Sequence, residues 1–597
     1  MNDYWNNVLR QRITRRRGIA ATGAAAGSAL LLAACGGDKE KPSGSALVKK
    51  PEDTTAKAVY GGTFIGQAQA DPGSFDVLLG QPADAAMAAR SYTRLLKYKA
   101  TKYPQAIEPL VEADGAASWE YAPDGLRVVY KIRPNLKFDP RPPTNGRNVT
   151  AQDVKSSFER FMKVSVNRAI FDNSIDANAP VTGVEAVDDK TFAVNLKFPY
   201  APFDSLLAQS GYVSILPAEA GTQFDLKNTL RGSGAWRLES YQASSRYEFV
   251  KNKDWYDAAK VHLDGMNFVI LPDPATNRAQ LVTGNLWWTQ NFPRDEVLSA
   301  KKERPRLQMV ARESFSAGDH WLHFGYLPES PFFDERVRKA ASMSIDRDLF
   351  VDTFGNVDRF GAEGIDVPRR WNSSIPVGES FWIDPKDEAT YGKSAAFYKY
   401  DPAEAKKLIQ AAGMQTPVAS SFHLPVPVTP TTFEKEMEVI HGMWQGSGNF
   451  KMSLNTYTNY TAEFIGPFVN SGNKWNGIAA NLSGSRAEVD ALLFEYHYYN
   501  GRRAGHVGPD GKPDAVLQSL IEQQRVALDV KKRAAIVADI QRHVSSHMYL
   551  LWNPGQALGF DLVQPWLQNF RLWRSRPGGS QDQESYIHWW YDEKQKT

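Results

Sequence analysis

The sequence predicts an α/β protein of two lobes, with mixed sheets flanked by helices, and three observations lead there. The chain has 597 residues, and the stretch that follows its N-terminal leader exceeds what a single hydrophobic core serves. Strand-like and helix-like patterns alternate irregularly along it, with no internal repeat and no heptad seam. It contains one cysteine, so no disulfide can form within a monomer, and stability must come from large cores.

Residues 1–34 read as an export signal. Arg10, Arg12, Arg15, Arg16 and Arg17 form a basic segment, and Thr14-Arg15-Arg16-Arg17-Gly18-Ile19 has the twin-arginine form. The apolar stretch that follows is Ala-rich and short for a membrane span. It ends in Leu32-Ala33-Ala34-Cys35-Gly36-Gly37, a small-residue cleavage site before a cysteine. Cys35 is therefore expected to carry lipid and to anchor the chain to the outer face of the cytoplasmic membrane. The leader holds five arginines and one aspartate, so the net charge of +3 falls to about −1 without it. The basic total is then no argument for nucleic acid.

Residues 35–58 are polar, rich in Gly, Ser, Pro and Lys, and read as a flexible tether. A turn at Tyr60-Gly61-Gly62 introduces the first strand. Residues 126–132 alternate like a half-buried strand. Residues 151–164 place Val154, Phe158, Phe161 and Met162 at helical spacing behind Thr150 as N-cap. Residues 184–198 read as a hairpin turning at Asp188-Asp189-Lys190. Residues 336–354, 402–413 and 513–548 are amphipathic helical regions, the second capped by Asp401 and ended by Gly413.

Catalytic constellations are missing from the sequence: no Gly-x-Ser-x-Gly elbow, phosphate loop or His-Glu-x-x-His is present. His543 and His547 lie one helical turn apart, but the segment HVSSH holds no carboxylate, so they read as surface histidines rather than metal ligands. His320 and His323 fall on opposite faces of an expected strand, which argues against chelation. Asp273, Asp334, Asp346 and Asp401 sit where turns or caps need them. No catalytic residue, metal or cofactor is expected.

Several segments in order resemble the extracellular solute-binding proteins of oligopeptide, dipeptide and nickel ABC importers. They include Tyr130-Lys131-Ile132-Arg133-Pro134-Asn135-Leu136-Lys137-Phe138, Val187-Asp188-Asp189-Lys190-Thr191-Phe192 and Lys197-Phe198-Pro199-Tyr200-Ala201-Pro202-Phe203. Gly232-Ser233-Gly234-Ala235-Trp236, Lys251-Asn252-Lys253-Asp254-Trp255-Tyr256, Glu335-Arg336-Val337-Arg338 and Tyr400-Asp401-Pro402-Ala403 continue the series. The resemblance implies a two-lobe periplasmic-binding-protein fold of the large, class II-like type. Its first lobe would comprise residues 59–104, 228–312 and 551–597, with an extra subdomain at 105–227 and a second lobe at 313–550. It also implies a monomer that closes over a solute and delivers it to an ABC permease and its ATPase.

The same resemblance places Gln81 beside the ligand. It also sets Trp287 and Trp288, with Asn291 in the loop that follows, near the cleft. If these tryptophans lie in a strand, only one of them can face the cleft. Trp321 and Tyr326 fall on the strand after the first crossing between lobes. The run Ala479-Ala480-Asn481-Leu482-Ser483-Gly484-Ser485-Arg486 stands where peptide-binding members carry an aspartate for the peptide ammonium. Here Asn481 and Ser483 offer neutral hydrogen bonds and Arg486 offers a cation. A buried ammonium without a carboxylate partner is costly, so an oligosaccharide or another mostly uncharged solute fits as well as a peptide. An enzyme or a signalling receptor on the same fold are the remaining alternatives.

Overall fold

The computed structural model describes residues 47–79, 90–105, 110–290, 292–312, 320–426, 432–481, 488–498, 512–575 and 583–596. The first lobe is built on a four-stranded sheet ordered Thr63–Ala68, Gly265–Ile270, Arg246–Lys251, Trp236–Gln242. The first two strands are parallel and the others antiparallel.

Beside it, residues 111–227 form a subdomain on an antiparallel sheet ordered Ala116–Tyr121, Arg127–Ile132, Thr191–Leu196, Val181–Asp188. The helix Ala151–Val164 covers this sheet with Val154, Phe158 and Phe161, all fully buried. Each such side chain contributes roughly 1.5–3 kcal/mol of transfer free energy. Thr150 and Asp153 close a reciprocal capping box at its start. Arg147 then grips Asp153 through two nitrogens, at 2.9 and 2.7 Å. The helix and the hairpin agree with the sequence pattern because both are specified locally, by period, cap and turn.

The second lobe holds a five-stranded sheet ordered Phe450–Tyr457, Val418–Pro425, Ile478–Asn481, Trp321–Phe324, Leu550–Trp552. Trp321–Phe324 runs antiparallel to both neighbours, whereas Val418–Pro425 is parallel to its own two. Leu550–Trp552 belongs to this sheet, so the return crossing comes after Trp552. Just past the strand Trp321–Phe324, a Cβ on Gly325 would lie 2.1 Å from the Trp475 carbonyl oxygen, so only glycine allows that approach.

The region 336–354 is two helices, Glu335–Met343 and Arg347–Gly355, rather than one. Ser344 turns its hydroxyl back onto the Ala340 carbonyl, and Asp346 caps the second helix through Leu349 N. The region 513–548 likewise divides into Ala515–Val526 and Val530–His547, with Asp529 capping the second. Among the described residues no helix is long and apolar enough to cross a membrane.

Each lobe has its own core, and a third, smaller cluster lies where they join. It combines Leu281, Leu286, Leu307 and Met309 with Val351, Phe360, Phe560 and Leu562. The antiparallel pair Gln308–Arg312 and Gly559–Val563 runs through it.

Three histidines are held neutral by this packing. Burial lowers His320, His497 and His588 from 6.5 to about 4, with neighbouring lysines adding to the effect on His588. As pH falls through 6.5 the unfolded imidazoles take up protons, while the folded ones stay neutral until about 4. Stability is therefore expected to be full above pH 6.5 and to decline between 6.5 and 4. Urea midpoints measured across that window should show the decline, and His497→Gln should flatten part of it.

Candidate functional site

The polypeptide leaves the first lobe after Arg312, enters the second at His320, and returns through residues 553–558. The side chains at this junction come from elements far apart in sequence. Asp561 lies in Gly559–Val563, an otherwise apolar strand, and is 1% exposed. Arg312 donates to its Oδ1 at 2.8 Å and Arg571 Nε to its Oδ2 at 2.9 Å. Burial alone pushes this carboxyl up, but Arg312 and Arg571 outweigh it and hold it below the usual range.

Arg294 lies at the same junction, with one guanidinium nitrogen 3.1 Å from the Ala557 carbonyl. Burial and the neighbouring Arg312 lower it to about 10, against the opposing pull of Glu436. His320 packs edge-on against Phe433, with ring centroids 4.6 Å apart. Its Nε2 is 3.8 Å from Glu436, too far for a hydrogen bond. Its Nδ1 and the Glu434 Oε1 are buried without partners among the described residues. Buried polar atoms without partners are costly.

Two expected residues meet beside His320. Trp321 pairs with Asn481 in register and with Trp552 on the other side. The Trp321 ring lies 4.6 Å from that of Tyr496, and Asn481 Oδ1 accepts from Tyr460 at 2.8 Å. Tyr326 is placed elsewhere. It lies beyond the far end of the same strand, buried, with its hydroxyl donating to the Tyr549 carbonyl at 3.0 Å and Arg338 over its ring. It supports the second lobe's core.

Trp287 and Trp288 occupy a bend and an isolated bridge to Val563, not a strand. Both are buried in the first lobe. Trp287 stacks on Tyr591 at 4.9 Å and meets Phe64 edge-on. Trp288 packs on Phe570 and Trp589. Without strand alternation, both indoles can turn into one core. Gln81, Asn291, Ser483, Arg486 and Cys35 lie outside the described residues.

Asp273, Asp334, Asp346 and Asp401 each cap a helix. The Arg294–Arg312–Asp561 group was not anticipated from the sequence. One signal was available: a lone aspartate in Gly-Phe-Asp-Leu-Val needs cationic partners if the strand is buried.

Two separately cored lobes joined by a crossing strand pair, with open polar atoms at the junction, define a protein that captures a solute between lobes. Residues 111–496 match the family of bacterial extracellular solute-binding proteins, family 5, and the chain belongs to it. Its business is binding, not catalysis. It is 24% identical to heme-binding protein A of Haemophilus influenzae over 80% of this chain and 88% of that one. It is 25% identical to the dipeptide-binding protein of Escherichia coli over 61% of this chain, a match that spans 65% of that protein. Among solved structures, the periplasmic binding protein DppA of Helicobacter pylori, in complex with a peptide, superimposes with a TM-score of 0.64 at 18% identity. The match covers 91% of this chain and all of that one.

Replacing Asp561 with Asn would leave the half-buried Arg312 and Arg571 without their shared carboxylate. The expected cost is about 1.5–3 kcal/mol, read as a lower urea midpoint, and Arg312→Met/Asp561→Leu should recover part of it.

Proposed function

We propose that this protein captures a peptide-sized solute between its lobes and passes it to an ABC importer permease, while a lipid on Cys35 keeps it at the membrane. The observation that carries this reading is the junction. Arg294 and His320 are polar groups that lie where the chain crosses between lobes, with Glu436 close to both, and His320 Nδ1 has no partner among the described residues. Trp321 and Asn481 at the adjoining sheet edge, with Gln81, Asn291, Ser483 and Arg486, are the proposed ligand contacts; Trp288 flanks the crossing strands. The relatives' names, for dipeptides and for heme, support an extracytoplasmic binding role and leave the solute class wide. The neutral run at 481–485 in place of an aspartate favours a solute without a free ammonium, such as an oligosaccharide or a blocked peptide.

The lobes also touch away from the crossing strands. Tyr200 of the subdomain, 1% exposed, donates to Asp490 Oδ2 of the second lobe at 2.8 Å. Arg525 reaches back to the Asn178 carbonyl at 2.9 Å. Contacts of this kind are lost when lobes part, so they favour the closed form by their own free energy.

The test is thermal stability against a panel of free dipeptides, N-acetylated oligopeptides, oligosaccharides and heme. One class is expected to raise Tm in proportion to the logarithm of its concentration; no shift from any class would sink the proposal. Tyr200→Phe is expected to weaken affinity for the active class by roughly five- to thirtyfold, since a hydroxyl's hydrogen bond to a carboxylate is worth about 1–2 kcal/mol. Equal affinity in wild type and variant would remove the latch from the account.

A further inference from the structure

The histidines of HVSSH acquire in the fold what they lack in the sequence. Asp514 arrives from 29 residues upstream and sets its Oδ2 2.6 Å from His543 Nε2. Glu335, 212 residues away, sets its Oε2 2.6 Å from His547 Nδ1. One ligand atom each from Asp514, His543 and His547 lie within 4.8 Å of one another. We propose that these three side chains form a zinc-binding site, distinct from the junction where solute is captured.

Four features support this. The two imidazoles stand one turn apart on the helix Val530–His547, with ring centroids 4.9 Å apart. A tetrahedral zinc holds nitrogen and oxygen ligands about 3.3 Å apart, within reach of small side-chain movements from these positions. Asp514 has divided its oxygens: Oδ1 caps the helix Ala515–Val526 through Val516 N and Leu517 N, both at 3.0 Å. Among the described residues its Oδ2 takes His543 and the Tyr549 hydroxyl, the latter at 2.8 Å, so a cation can use that oxygen without unmaking the cap.

The contact between His547 and Glu335 supplies the third feature. If Nδ1–H donates to Glu335, the ring's lone pair is left on Nε2. A carboxylate behind a ligating imidazole is the usual arrangement around zinc, fixing the tautomer and raising ligand basicity. Glu335 is itself held by Lys339 at 2.7 Å. Fourth, His547 ends its helix, where the backbone carbonyls favour a cation.

Two histidines and a carboxylate suit zinc, and three protein ligands leave one position for water, so exchange with solution is expected. The side chains of Asp514, His543 and His547 are 11%, 20% and 35% exposed, which gives the ion an entry path. The site adjoins Tyr549 at the end of the sheet opposite Trp321, so zinc and solute should bind independently.

Calorimetric titration of the chelator-treated protein with zinc chloride is expected to show one site with a dissociation constant in the micromolar range or tighter. Asp514→Asn, which keeps the helix cap, and Glu335→Gln should each weaken it by at least tenfold, and His543→Ala/His547→Ala should abolish it. Circular dichroism and Tm without metal check that the variants fold. If the double variant does not fold, cobalt substitution in the wild type decides, since tetrahedral nitrogen and oxygen coordination gives intense visible bands. Absence of uptake by the wild type overturns the proposal and leaves a hydrogen-bond network only. Uptake undiminished in folded variants places the metal elsewhere and overturns it equally.

Discussion

The buried carboxylate of Asp561, held between Arg312 and Arg571, is the interaction on which the two-lobe arrangement turns. Two lobes with separate cores share covalent continuity only where the chain crosses, and a joint of two short strands is weak on backbone hydrogen bonds alone. Asp561 and Arg312 fasten one crossing strand to the other, and Arg571 ties both to the first lobe's C-terminal segment. A small apolar cluster drawn from both lobes surrounds the pair of strands. At the same junction this network leaves His320 Nδ1 without a partner among the described residues, and it is one of the atoms the proposed solute would meet.

Sequence reading succeeded where structure is specified locally. Thr150 with Asp153, and Asp273, Asp334, Asp346 and Asp401, lie at helix starts because their short side chains reach backbone N–H groups two or three residues on. Gly413 ends its helix at a φ of +79°, which a glycine adopts without strain. The hairpin at Asp188-Asp189-Lys190 and the strand before it follow the same logic. Long amphipathic regions were legible as helix but not as two helices, because an apolar period carries through Ser344 and Ala527 while the breaks are set by single caps.

The candidate site was less legible because its parts meet only through tertiary structure. Trp287 and Trp288 are neighbours in sequence, and strand alternation would have separated their faces. A bend lets both indoles bury in one core. Trp321 and Asn481 come together by strand register, which no local pattern reveals. Tyr326 is two residues past its strand and is held by a carbonyl of a segment more than two hundred residues away. The histidine pair shows the same limit. Helical spacing was visible, but its two carboxylates arrive from separate helical segments, so the local segment looked like solvent-facing surface.

Why polar groups carry so much of the architecture follows from the single cysteine. A protein read as destined for an oxidising compartment, yet without a disulfide, must fix long-range contacts by other means. Here they are charged and hydrogen-bonded ties across distant segments: Arg147 with Glu219, Arg533 with Glu488, Arg525 with Asp490, and the Asp561 triad. Such ties are broken and remade without chemistry, unlike a disulfide. Two of them would behave oppositely in the proposed capture cycle. Asp561 lies on the crossing strands, so its pairing does not depend on the lobes being shut. Asp490 receives Tyr200 across the lobes, a contact that parting them would break. A solute that satisfies the open groups at the junction therefore adds its contacts to a closure already favoured by Tyr200. The affinity measured for the solute would then report both.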